Sequence, residues 1–194
     1  MRKNYTYNDY KMMEVTNDSR VEVFDGELVS VDIPSTMQRV IVGELYMCFR
    51  NYSSSKNGEY VAFMSPVAVR LEYKEDGSDK TILEPDFLIV CDRDKILGAK
   101  TVNGAPDFVV EVISPSNRKY KMYEKMNKYR ECGVREYWVI DYDKDKIIKY
   151  YFEKDGEIFM YSFADKVPVD IYSENDDPLV IDFAEIKEYI DSIF

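Results

Sequence analysis

The run Phe108-Val109-Val110-Glu111-Val112-Ile113 constrains this chain more than any other stretch. Its apolar residues do not alternate with polar ones, the pattern of a strand buried on both faces of a sheet. Such a strand needs cover on each side, so the run predicts a layered α/β domain. Glu111 interrupts it. A carboxylate among Val and Ile is costly to bury unpaired, which makes Glu111 a candidate for function.

Around that run the order of elements is mixed. Residues 6–14 read as a short helix. Residues 20–32 read as a hairpin about Asp25-Gly26, the strongest short hairpin signal. Pro34-Ser35 opens a helix to about Tyr52, with Ser35 as N-cap, and residues 53–58 form a polar turn. Strands are predicted at 60–64 and 67–73, followed by a charged loop at 74–80. Two similarly worded strands follow, Glu84-Pro85-Asp86-Phe87-Leu88-Ile89-Val90 and Ala105-Pro106-Asp107 running into 108–113. Ser116-Asn117 can cap a helix over 118–131 that Gly133 ends. Strands at 135–141 and 147–152 and a short amphipathic C-terminal helix complete an α/β (α+β mixed) order with a central mixed sheet flanked by helices. The chain reads as one domain, 1–194. Within it, 1–152 form the core and 153–194 an acidic C-terminal extension packed on it.

Antiparallel pairing of the two Pro-Asp strands would bring Asp86, at the start of one, beside Glu111, near the end of the other. Asp107 would lie ~13 Å from Glu111 at the usual rise per residue, too far to share one small metal site. A hard cation, Mg²⁺ or Mn²⁺, would offset two such carboxylates and prefers oxygen ligands. Pro-Asp is also an ordinary turn or edge feature, so Asp86 alone is a weak signal.

Composition narrows the chemistry. The 194 residues include 37 Asp+Glu, 26 Lys+Arg and no histidine. That excludes Ser-His-Asp and Cys-His nucleophilic pairs, histidine general bases and His-containing zinc sites. Cys48, Cys91 and Cys132 are scattered, odd in number and in no CxxC pair, which fits a reducing cytoplasm. No run approaches the ~18 apolar residues of a membrane span, and the first residues lack the apolar core of a signal peptide. The expected location is cytoplasmic, with no membrane partner.

The charge is uneven. Residues 153–194 hold 12 acids and 3 bases, whereas 118–130 hold six bases and one acid. Lys121, Lys125 and Lys128 are spaced to line one helix face. That face is either solvated, the usual meaning of a charge run, or turned to phosphate with one lysine beside the carboxylates. A nucleic acid partner is expected to approach this helix and avoid the tail, so that deleting 153–194 strengthens binding unless it unfolds the domain. Glu22 reads as an exposed strand residue, with reach to the site as the alternative. Glu44 lies near the apolar side of its helix. Tyr129 and Trp138 read as core.

These residues carry a family resemblance. Glu84-Pro85-Asp86, the stretch 104–116, Lys125, Tyr129 and the stretch 133–141 resemble the Uma-two family, restriction-endonuclease-like proteins of the PD-(D/E)XK superfamily, abundant in bacteria. Residues 21–29 and Pro34-Ser35 resemble that family's opening segment, and the resemblance covers roughly residues 5–152. It implies a nuclease fold in which two acidic residues bind Mg²⁺ (or Mn²⁺) and a lysine assists hydrolysis. Asp86 takes the place of the motif's Asp and Glu111 that of its Asp/Glu. Ile113 stands where the motif's Lys would be, and Lys125 matches the helix lysine of related proteins. Met37 stands where the family often has His, and Lys121 where it often has Asp. The implied activity is metal-dependent hydrolysis of DNA, with Asp86, Glu111 and the Val112 carbonyl as ligands and Lys125 positioning or activating water. Glu44, Glu22, Asp107 and Lys121 are accessory candidates. RNA is a further candidate substrate, and a homodimer would suit cutting two strands. The second expectation is a nuclease-like fold that no longer cuts and serves as a binding or assembly module.

Overall fold

A six-stranded mixed sheet runs through the centre of the computed structural model. The structure describes residues 4–13, 20–55, 60–113, 119–153, 156–172 and 177–194, with backbone alone at 119–121. The strands are β1 (Arg20–Phe24), β2 (Glu27–Val31), β3 (Val61–Met64), β4 (Val69–Arg70), β5 (Ile82–Leu83), β6 (Phe87–Val90), β7 (Val102–Asn103), β8 (Phe108–Ile113), β9 (Glu136–Asp141), β10 (Lys146–Tyr151), β11 (Glu157–Tyr161), β12 (Lys166–Pro168) and β13 (Val180–Asp182). The helices are α1 (Tyr7–Tyr10), α2 (Thr36–Ser55), α3 (Lys119–Cys132) and α4 (Phe183–Ile193). The central sheet has the order β11-β10-β9-β8-β6-β3, and a five-stranded sheet has the order β2-β1-β5-β4-β7. Only β8 and β9 pair in parallel within the central sheet. A parallel pair needs a crossover, and α3 supplies it.

Both faces of the central sheet are covered, as the unbroken apolar run of β8 requires. Phe87, Ile89, Phe108, Val110, Val112, Trp138 and Ile140 point to one side and pack with α2, α4 and the C-terminal segment. Leu88, Val90, Val109, Tyr137 and Val139 point to the other. There they meet Met126 and Tyr129 of α3 and Val69 and Leu83 of the small sheet. Alternation along each strand thus sorts Asp86 and Glu111 with Leu88 and Val109, on the α3 side.

Local signals explain the elements that frame this side. Asp25 (φ 47°) and Gly26 (φ 82°) both take positive φ at the β1–β2 turn, as a type I′ hairpin demands. Gly133 (φ 94°) ends α3, where the Val134 N–H reaches back to the Tyr129 carbonyl at 3.0 Å. At the start of α2, Ser35 and Gln38 form a reciprocal capping box: the Gln38 N–H donates to Ser35 Oγ at 3.2 Å and the Ser35 N–H donates to Gln38 Oε1 at 2.8 Å. Helix α1 is one turn, closed by a Thr6–Asp9 capping box, and is shorter than the predicted 6–14. The predicted strand at 67–73 is shorter in the structure, Val69–Arg70, although the Leu71 N–H still donates to the Thr81 carbonyl at 3.1 Å; the Arg70 guanidinium is buried on Asp79, its Nε donating at 3.0 Å. The Ser116-Asn117 cap and residues 56–58 of the polar turn lie outside the described residues.

The acidic stretch past 153 carries more structure than predicted. It contributes β11, β12 and β13, and Phe163, Val167, Val169, Ile171, Phe183, Ile186 and Ile190 sit in the main core. Deleting 153–194 would strip that core, so it cannot report on charge repulsion of DNA. A buried network ties the segment down. Lys149, fully buried on β10, donates to the Pro168 carbonyl at 2.6 Å and pairs with Asp170 at 2.7 Å and Glu136 at 3.6 Å. Glu136 accepts from Trp138 Nε1 at 2.6 Å and from the Ile171 N–H at 3.0 Å.

Burial pushes the Glu136 carboxyl up from 4.5 to about 7, against the opposing Lys149 charge and its hydrogen bonds. A folded value above the unfolded one stabilises fully below about 4.5, and the contribution is lost as pH rises through about 7. Lys149→Met leaves Glu136 charged and unpaired at high pH. It is expected to cost about 3–5 kcal/mol at pH 8.5 in urea unfolding, and clearly less at pH 5.5, where Glu136 is already neutral. An equal loss at both pH values would contradict this account of the network.

Candidate functional site

The register of β6 on β8 builds the site. Phe87 faces Val110, Leu88 faces Val109 and Ile89 faces Phe108, in antiparallel order. One step further sets Asp86 across from Glu111. The backbone confirms the approach: the Val112 N–H donates to Asp86 Oδ2 at 2.7 Å.

Helix α3 brings the cation. Lys125 Nζ donates to Glu111 Oε1 at 2.9 Å and to Glu22 Oε1, on β1, also at 2.9 Å. Tyr129, one helical turn on, donates its hydroxyl to the same Glu111 Oε1 at 3.1 Å. Glu22 is 1% exposed; the exposed-strand reading of it is corrected, because the small sheet packs against α3 and buries that face. Tyr129 is core, as read, and is also a donor to the site.

The electrostatics follow from burial and pairing. Burial raises the Glu111 carboxyl, opposed by Lys125. Burial also raises Asp86, opposed by the Val112 N–H, Lys125 and Arg20. For Lys125, burial works to lower the ammonium's pKa, but the charges of Glu111 and Glu22 outweigh it and hold Lys125 above its ordinary value. Lys125 is therefore a cation.

The accessory candidates fall in different places. Asp107 sits at the far end of β8, where Oδ2 accepts the Cys91 N–H at 2.7 Å and Arg135 lies 3.7 Å from Oδ1; it fastens a strand end and does not join Glu111. Glu44 is half-buried on α2, where its charge and that of Glu185 push the Cys48 thiol up after burial. The α2 residue that reaches the site is instead Gln38, whose Nε2 donates to the Val112 carbonyl at 2.6 Å. The side chain of Lys121 lies outside the described residues. Lys128 pairs with Asp25 at 2.6 Å and Glu72 at 3.6 Å. Of the row's described side chains, Lys125 is paired with Glu22 and Glu111, and Lys128 with Asp25 and Glu72.

The donor set suits a hard divalent cation. Asp86 Oδ1 and Glu111 Oε2 take no hydrogen bond from the described residues, while their partner oxygens are clamped. The hydroxyl of Tyr137 is buried without a partner among the described residues. Tyr137 lies across from Val109, two positions before Glu111 on β8. No group of three or more His, Cys, Asp or Glu side chains with metal-holding geometry occurs among the described residues. Mg²⁺ needs no such group, since it commonly keeps several waters and takes one or two carboxylates.

Comparison with known proteins gives the class. The sequence profile of the Uma2 family, described as putative restriction endonuclease, matches residues 7–168. The chain belongs to this family. It is also similar to a crystal structure at 1.96 Å of a putative nuclease belonging to DUF820 from Anabaena variabilis ATCC 29413. The TM-score is 0.73 at 18% identity, covering 94% of this chain and 98% of that one. At that identity the likeness speaks for the fold alone. No curated protein matches the sequence. No helix among the described residues is long and apolar enough to cross a membrane.

Lys125→Met leaves Glu111 and Glu22 buried without their shared cation. In metal-free protein it is expected to cost about 3–5 kcal/mol by urea unfolding, and Glu111→Gln in the same chain should recover a large part. Strictly additive losses in the double variant would contradict the pairing.

Proposed function

We propose that this protein is a divalent-metal-dependent endonuclease that hydrolyses DNA phosphodiester bonds. One observation carries the reading: each of the two facing carboxylates has one oxygen fixed by protein donors and one oxygen without a donor among the described residues, beside a charged lysine.

Asp86 and Glu111 would hold Mg²⁺ or Mn²⁺, with the Val112 carbonyl as a further oxygen. A carbonyl has two lone pairs, and Gln38 uses one. When bound, such an ion supplies a Lewis acid for the phosphoryl oxygen and lowers the pKa of its water. The protein's own groups do the rest. Tyr129 and Lys125 fix Glu111 through Oε1, and the Val112 N–H fixes Asp86 through Oδ2. Lys125 would stabilise negative charge developing on the phosphate and position or activate water. DNA is the polymer that the Uma2 description, restriction endonuclease, supports.

The test is cleavage of plasmid and oligonucleotide DNA with Mg²⁺ or Mn²⁺, with an RNA competitor alongside. Wild type should cut, and Asp86→Asn and Lys125→Ala should each lose about 10²–10³-fold in rate. Equal cleavage by wild type and variants would sink the site assignment. Wild-type protein that binds Mn²⁺ through Asp86 and Glu111 yet cuts nothing would turn the reading to a nuclease-fold binding module.

A further inference from the structure

We propose that Glu22 is a positioning residue that anchors Lys125, and not a third metal ligand; the inference rests on the nuclease reading of the site. An ammonium has three N–H donors. Glu111 and Glu22 take one each, both at 2.9 Å. With two directions fixed from two different sheets, the third N–H has a defined direction, available to a phosphate oxygen or a water. Glu111 alone could not hold Lys125 this way. A cation bound at Glu111 would repel the ammonium and compete for the same carboxylate. Glu22 keeps the lysine in place when that happens.

Glu22 is itself held. Its Oε1 also accepts the Glu84 N–H at 2.9 Å. The Glu84 carboxylate is clamped in turn by the Arg20 guanidinium, whose Nε donates to Oε2 at 2.9 Å, and by the Tyr10 hydroxyl, which donates to Oε1 at 2.6 Å. A chain of hydrogen bonds therefore runs from α1 through Glu84 and Glu22 to Lys125. Position argues against ligation by Glu22. It forms no three-acid metal-holding group with Asp86 and Glu111, and the Lys125 ammonium bridges it to Glu111.

Glu22→Gln tests this, because Gln keeps an oxygen for the Glu84 N–H and removes the charge. Three readouts separate the roles. The Nζ–H correlation of Lys125 in ¹⁵N-lysine-labelled, metal-free protein reports a clamped ammonium that exchanges slowly with water; it should be present in wild type and lost or broadened in Glu22→Gln. Mn²⁺ affinity by calorimetry should stay within about twofold of wild type in Glu22→Gln, whereas Asp86→Asn should abolish it. Cleavage should fall roughly 10–100-fold in kcat with little change in KM for DNA, the size typical of a residue that orients a reacting group. Glu22→Asp, which keeps the charge but is one methylene shorter, should lose the Nζ signal too, and serves if the Gln variant folds poorly. An unchanged Lys125 signal in both variants, or Mn²⁺ binding lost in Glu22→Gln as in Asp86→Asn, would overturn the proposal. The signal and the Mn²⁺ affinity stand apart from cleavage, so a wild-type protein that cuts nothing overturns the nuclease reading while the anchor is still decided.

Discussion

A single ammonium, that of Lys125, is shared between two sheets. It leaves α3 and meets Glu111 of the central sheet on one side and Glu22 of the small sheet on the other. Three buried charged groups would be expensive separately. Together they compensate one another, and the compensation fixes how α3, β1 and β8 sit. The pairing acts together with the apolar packing of Met126 and Tyr129 of α3 and Val69 and Leu83 of the small sheet against the central sheet. Lys128 repeats the contact at the rim, on Asp25 and Glu72.

A second lysine lies on the opposite face of the same central sheet, and the contrast between the two is informative. Glu136 takes donors on both oxygens, Trp138 and Ile171, with Lys149 alongside. That network is closed and ties the C-terminal segment to β9 and β10. On the α3 side, Asp86 and Glu111 each keep an oxygen without a donor among the described residues. Both networks bury glutamate, and burial raises both carboxyls. In the proposed reading, the α3-side network is the one that takes an ion from outside.

The sequence made Glu111 visible because a charge stood in an apolar run, and it made Asp86 visible because antiparallel pairing of two similar strands set the two acids together. The mixed sheet and the covers on both its faces were also legible. Glu22 was not, since alternation in Val21-Glu22-Val23 looks the same whether the polar face meets water or another layer. Gln38 carried a local signal, the Ser-x-x-Gln capping box, but its bond to Val112 spans 74 positions and no local pattern encodes it. Strands β12 and β13 were masked by the acid count, although Val167, Val169 and Ile171 alternate in the manner of a half-buried segment. The lysine row of α3 pointed to one lysine beside the carboxylates, and Lys125 is there, but helical spacing shows which residues share a face, not that Lys128 would meet Asp25 and Glu72.

The central claim is that the facing pair Asp86 and Glu111 is a divalent-cation site. An anomalous-difference map from crystals soaked in Mn²⁺ tests it most directly. The account predicts a peak ~2.0–2.2 Å from an oxygen of Asp86 and from an oxygen of Glu111, with Lys125 still in contact with Glu22. Mn²⁺ bound elsewhere on the protein, with both carboxylates still free of it at saturating concentration, would contradict it.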